Sequence, residues 1–175
     1  INALVVNEGR TLEADVRIRD GRIAQIGQGL TCYGDEELID AACCCLLPGL
    51  IDVCSAEGSA PDLVADLVAG GVTSCPLLTR ATTGAILNHG AVEQQQGSDA
   101  VTRLPGSLEA VLDGQDSLEA LVTRAAHAPA LRYRIRERGF LREDCWADLV
   151  LVDLHQPGEA RDGVRYRASV RTVWV

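Results

Sequence analysis

Strand signals crowd both ends of this chain and helix signals fill its middle, so a fold that buries the terminal strands has to bring the two ends together. Near the start, Val16, Ile18, Ile23 and Ile26 supply apolar positions on either side of Asp20-Gly21. Glycine accepts the positive φ that a tight hairpin turn demands, so this stretch predicts a hairpin. ALVV from Ala3 precedes it, and Leu38-Ile39-Asp40 and Cys45-Leu46-Leu47 read as further short strands before the turn dipeptide Pro48-Gly49. At the other end, Leu149 to Leu154 is a strongly apolar run, and Val170, Val173 and Val175 alternate into a final strand. The expectation is a composite small β-sandwich built from residues 1–49 and 139–175, with Trp146 and Trp174 as its packing anchors.

The middle segment, residues 50–138, reads differently. LIDVC, beginning at Leu50, is a short continuous apolar run of the kind found in buried parallel strands. PDLVADLVAGG follows with Leu63, Val64, Leu67 and Val68 at helical spacing, Gly70-Gly71 closes the helix, and a second strand starts at Val72. This is one βαβ unit. Thr79 to Arg103 is polar without a clear period and reads as loop. SLEAVL from Ser107 and SLEALVTRAAHAPALRYRI from Ser117 then predict two helices, the second capped by Ser117 with Glu119 in its first turn, and broken or restarted at Pro129. The fold class expected is α/β with a β-sandwich.

Composition removes several functions. With 16 basic and 25 acidic residues the formal charge is -9, which repels nucleic acid and anionic membrane. No apolar run approaches the roughly 18 to 20 residues that span a bilayer, and the first residues carry no signal-peptide pattern, so a cytoplasmic location is expected. The 7 cysteines are odd in number, and Cys43, Cys44 and Cys45 are consecutive, which favours reduced, buried thiols over a disulfide framework. Adjacent strand residues point to opposite faces, so at most Cys43 and Cys45 share one, for a soft metal or for core packing. Every basic residue is Arg, and Lys and Met are both absent. The sequence is therefore expected to begin after its translated start, and RTVWV reads as a strand cut before its turn.

NALVVNEGRTLEADVRIRDGRIAQIG followed by LIDAACCCLLPGLIDV resembles the amino-terminal signature of the amidohydrolase superfamily, most closely dihydroorotase and hydantoinase. RGFLREDCWADLVLVDL resembles the matching carboxy-terminal segment, where the chain returns to complete the small sandwich. In the family these motifs flank a (β/α)8 barrel of roughly 250 residues. The interval from Leu50 to Gly139 is too short for eight βα units of about 30 residues each. The resemblance thus implies a remnant or incompletely represented barrel: a natural remnant, or joined pieces of a longer chain. Burial favours the second, since a lone strand pair would expose a sheet edge and apolar faces.

The resemblance also locates the chemistry. The family hydrolyses cyclic amides with hydroxide bridged between metal ions, and its first barrel strand ends D-x-H-x-H, two imidazoles on one face reaching one zinc. Here Asp52 is followed by Cys54 and Ala56 at the two His positions, and no lysine exists to supply the carbamylated bridge. His89, His127 and His155 stand at unmatched positions, and Arg80 falls where a substrate-contacting Asn is expected. This pattern is similar to the non-catalytic dihydroorotase-like subunits that accompany some bacterial aspartate carbamoyltransferases. It implies a homo-oligomer with aspartate carbamoyltransferase as partner, a structural or regulatory role in pyrimidine biosynthesis, no catalytic residue, no metal site and no cofactor. The alternative is an active metal-dependent cyclic amidohydrolase whose ligand-bearing barrel lies elsewhere, with zinc as its cofactor.

Pro105 and Gly106 match the centre of the loop that offers backbone groups to the pyrimidine ring in working enzymes, so they are the substrate-binding expectation; turn chemistry alone also explains them. Cys54 reads as a thiolate ligand or nucleophile on one view and as a buried structural thiol on the other. No His or basic residue adjoins it to lower its pKa, which favours the second. Asp52 and Glu57 are a candidate acid/base pair, or Asp52 ties the strand end by hydrogen bonds. Arg132 to Arg138 reads as an anion site or, more simply, as a solvated face.

Overall fold

Two tight turns organise the amino-terminal strands in the computed structural model, which describes residues 1–42, 44–52, 68–74, 104–159 and 165–174. Asp20 and Gly21 take φ of 52° and 72°, and Arg19 pairs with Arg22 across them. Glu8 and Gly9 take 50° and 73°, with Asn7 paired to Arg10. Two central residues at positive φ define the turn whose twist matches that of paired strands. The Asp20-Gly21 hairpin is therefore as expected, while Glu8-Gly9 is a second hairpin that the sequence pattern did not single out.

In chain order the strands are β1 (Ala3–Asn7), β2 (Arg10–Arg19), β3 (Arg22–Gly27), β4 (Cys45–Pro48), β5 (Leu50–Ile51) and β6 (Val72–Ser74). The helices α1 (Leu104–Leu112) and α2 (Leu118–Val122) follow, then a π-helical turn (Thr123–His127), and α3 (Ala128–Arg132). The chain returns through β7 (Leu149–Asp153), β8 (Gly158–Glu159), β9 (Arg165–Tyr166) and β10 (Ser169–Trp174). Six of these strands form one sheet in the order β10-β7-β4-β1-β2-β3. β4 is the seam, parallel to β1 on one side and antiparallel to β7 on the other. The two ends of the chain thus meet in a shared sheet.

The expected sandwich is corrected to this single six-stranded sheet, flanked among the described residues by the two-stranded pairs β5-β6 and β8-β9. Leu38-Ile39-Asp40 is not a strand. Its backbone tethers the chain start instead: the Ile1 amine donates to Ile39 O at 2.6 Å, and Ala41 N donates to Ile1 O at 2.9 Å. Leu38 and Ile39 stay exposed in that loop.

Alternation along the strands builds two cores. On one face Val6, Cys45, Leu47, Val150 and Val152 pack with Leu108, Leu118, Leu121 and Val122 of the helices. On the other, Ala3, Val5, Leu46, Leu149 and Leu151 meet Ile23, Ala41, Leu141 and Ala147. β7 feeds both faces, which explains its unbroken apolar run. A third cluster joins Ile51 of β5 to Ala130 and Ile135.

β5 and β6 are parallel, with Leu50 opposite Val72. Gly71, at φ 81°, makes the turn into β6, its N–H donating to Val68 O at 2.8 Å. Of the helix expected from Pro61 only residues 68 and 69 are described, and they are helical; the loop expected from Thr79 to Arg103 lies outside the described residues, and no barrel closes among the residues that are described. Ser117 caps α2 as expected, its Oγ accepting from Ala120 N at 3.1 Å. Pro129 falls in the first turn of α3 just after the π-helical turn, so the helix restarts there and ends at Arg132 rather than reaching Ile135. No helix among the described residues is long and apolar enough to cross a membrane.

Candidate functional site

Gly49 sets the approach of the two parallel strands. Its N–H donates to Asp148 O at 2.8 Å, and a Cβ there would stand 2.1 Å from Thr73 Oγ1, so only glycine lets β6 lie this close. From Gly49, β5 carries the chain to Asp52, whose N–H donates to Ser74 O at 2.9 Å. Asp52 and Ser74 therefore sit together at the carboxyl ends of adjacent parallel strands, the position where α/β folds build their sites. Asp52 is 5% exposed. Thr73 Oγ1 and Ser74 Oγ are buried without a hydrogen-bond partner among the described residues.

A dinuclear metal centre at this strand end needs several hard or borderline donors converging from different strands. The chain after Asp52 supplies one thiol at Cys54 and no donor at Ala56, and it has no lysine to bridge two ions. These residue types do not fit such a centre. Cys54, Ala56 and Glu57 themselves lie outside the described residues, as do Arg80 and His89. Among the described residues, no group of three or more His, Cys, Asp or Glu side chains is placed to hold a metal ion.

Pro105 and Gly106 fall within α1, which begins at Leu104, and not in a loop ahead of it; Ser107 is accordingly inside the helix and does not open it. Proline is tolerated in a first turn because the N–H it lacks would have no helical partner there. Cys45 is a buried core thiol, and burial pushes its pKa up to about 11, which leaves it protonated and inert. Cys43 lies outside the described residues. Arg132, Arg134 and Arg136 are exposed, but Arg138 is not part of a solvated face: it is paired with buried Asp148. Trp146 is held between guanidinium groups, with Arg22 at 4.2 Å and Arg138 at 4.9 Å from the ring, while Trp174 packs on the sheet.

Two features had no signal in the sequence pattern. A cleft of about 370 Å³ opens on one sheet face, floored by Leu46, Leu149, Leu151 and Trp174 and overhung by Leu38 and Ile39. Its polar rim is already committed, since Arg17 pairs with Glu36 at 2.9 Å and Asp15 accepts from Asn2 N and Leu30 N. The second is His127, buried at the junction of β1 and the returning chain, where Nε2 lies 3.1 Å from Asn7 Oδ1. His155 is exposed, its N–H donating to Asp153.

Comparison with solved structures finds a likeness to an amidohydrolase crystal structure, covering 43% of this chain and 24% of that one at 18% identity and a TM-score of 0.34. At the level of sequence, a stretch of 47 residues is 38% identical to the dihydroorotase of Pelobacter propionicus, 27% of this chain and 11% of that protein. No protein-family model matches the chain. The chain thus spans about a ninth of the length of the curated relative it matches.

Proposed function

We propose that this chain is a dihydroorotase-like protein of the amidohydrolase superfamily that serves pyrimidine biosynthesis structurally, beside a transcarbamoylase, and does not itself hydrolyse a cyclic amide. The observation that carries this reading is the fate of the β5 strand end. Asp52 follows β5 where the sequence resemblance puts the start of the superfamily's metal site, yet Cys54 and Ala56 come next where two imidazoles would be needed, and the chain has no lysine. The 38% identity with a dihydroorotase over 47 residues supports the superfamily part of the proposal. In this reading Pro105 and Gly106 start a helix, and aspartate carbamoyltransferase is the expected partner, with the chain itself homo-oligomeric.

The test is affinity isolation of the intact protein from its source cells, followed by assays of the isolate. Aspartate carbamoyltransferase activity should co-purify, and dihydroorotate hydrolysis with added zinc should stay at background. A second reading, an active cyclic amidohydrolase with zinc as cofactor, is favoured by the similarity to a dihydroorotase alone. Zinc-dependent hydrolysis by the isolate would replace the first reading with the second.

A further inference from the structure

His127 lies 5% exposed where three pieces of chain converge. The π-helical turn presents the ring, β1 supplies Asn7, and the returning segment supplies Phe140 and Leu141. Asn7 fixes its amide in both directions: Nδ2 donates to Leu141 O at 2.8 Å, and Oδ1 accepts from Leu141 N at 3.2 Å. Because Oδ1 is thereby the acceptor that faces the imidazole, His127 Nε2 must carry the proton in the 3.1 Å contact between them. The neutral ring then donates from Nε2 and leaves Nδ1 unprotonated. Phe140 stacks on the imidazole with ring centroids 4.5 Å apart and planes 3° apart.

Among the described residues, charged groups stand on each element packed around this ring. From β1, Glu8 faces it, but Glu8 is bound by the Arg142 guanidinium at 2.5 Å. Arg142 in turn sits 4.3 Å from the Phe140 ring centre, on the aromatic that contacts the imidazole. Arg10 lies past the β1 turn beside Glu8. On the ring's own helical stretch, Arg124 is engaged with Asp116 and Arg132 is exposed. β5, packed against the same turn, is followed by Asp52. The returning segment also lies close on the helical turn: a Cβ at Gly139 would stand 2.8 Å from both Ala126 O and the Ala130 side chain.

We propose that His127 is an acid-sensitive latch, which holds the returning segment and the π-helical turn against β1 while neutral and loosens that junction once protonated at Nδ1. Protonation would place a positive charge on a ring that is 5% exposed and stacked on Phe140, whose own ring already carries the Arg142 guanidinium at 4.3 Å. Burial, opposed in part by Glu8, holds the imidazole below its ordinary value of 6.5. A folded value below the unfolded one means the latch is fully closed above about pH 6.5 and opens as the pH falls toward the folded value. The same junction packs Ile51, the residue before Asp52, so its loosening reaches the strand end that carries the candidate site.

The test is a proton NMR titration of the histidine ring signals in the intact chain, read together with hydrogen exchange of residues 123–142. The expected results are a His127 midpoint below 6.5 and protection factors that fall about threefold or more between about pH 7 and 5.5. In H127Q, which keeps an N–H donor toward Asn7 but cannot titrate, protection should be flat over that range. A His127 midpoint at or above 6.5, or the same loss of protection in H127Q, would overturn the proposal. If H127Q does not fold, the variants H89Q and H155Q assign the His127 signal by elimination, and its midpoint alone decides.

Discussion

Arg138 and Asp148 form a buried ion pair across the base of β7: Nη1 of Arg138 donates to Oδ1 of Asp148 at 2.6 Å, and the carboxylate is 3% exposed. Removing one partner strands the other charge in a dry site, which costs about 3–5 kcal/mol, whereas an apolar pair of similar volume can be neutral. Arg138→Ala should therefore lower unfolding stability by about 3 kcal/mol, and Arg138→Met combined with Asp148→Leu should lower it by less. Urea denaturation of the two variants beside the parent measures this. Arg138→Ala should also free one face of Trp146, visible as a change in indole fluorescence.

Asp15 is the second buried carboxylate with a definite task. Its two oxygens accept from Asn2 N and Leu30 N at 2.9 Å each, fastening the chain start and the loop over the cleft. These backbone donors hold the carboxyl below its ordinary 3.8. Its stabilising contribution is thus fully present above about pH 3.8 and is lost as the pH falls through the lower folded value. Asp15→Asn replaces one acceptor with a donor, orphans one backbone N–H, and should cost about 1–3 kcal/mol at neutral pH while flattening the acid limb of the stability profile. Denaturation midpoints from about pH 7 down to 3 check both effects.

Gly49 and Thr73 make opposite predictions at one contact. Gly49→Ala places a methyl 2.1 Å from Thr73 Oγ1 and should destabilise by about 3 kcal/mol or prevent folding. Thr73→Val keeps the shape and removes a buried hydroxyl without a partner among the described residues, so it should be neutral or stabilise by about 1 kcal/mol. Thermal melts distinguish the two. A loss of stability in Thr73→Val would show that the hydroxyl has a structural task.

The sequence was readable where a single residue type forces the backbone. Asp20-Gly21 and Ser117 each carry a local mechanism, a positive-φ turn and a hydroxyl cap, and both stand where expected. Leu38-Ile39-Asp40 misled because an apolar pair beside a turn looks like a strand, while its backbone groups are spent on Ile1. Ser107 misled because a helix can begin upstream at a Leu-Pro-Gly turn, which also moves Pro105 and Gly106 out of the expected loop. The link between Asn7 and His127 was illegible: the two are 120 positions apart, and no local period connects them. At the candidate site the sequence spoke most clearly through its residue types, since the methyl side chain of Ala56 has no donor atom to offer a metal ion.

Zinc content tests the central claim most directly. The intact protein, purified without chelators, supplied with zinc in excess and then dialysed, should retain clearly less than one zinc ion per chain by elemental analysis, because the proposed reading rests on Cys54 and Ala56 standing where two imidazoles would be needed. One or more tightly held zinc ions per chain, lost on Asp52→Ala, would contradict the account.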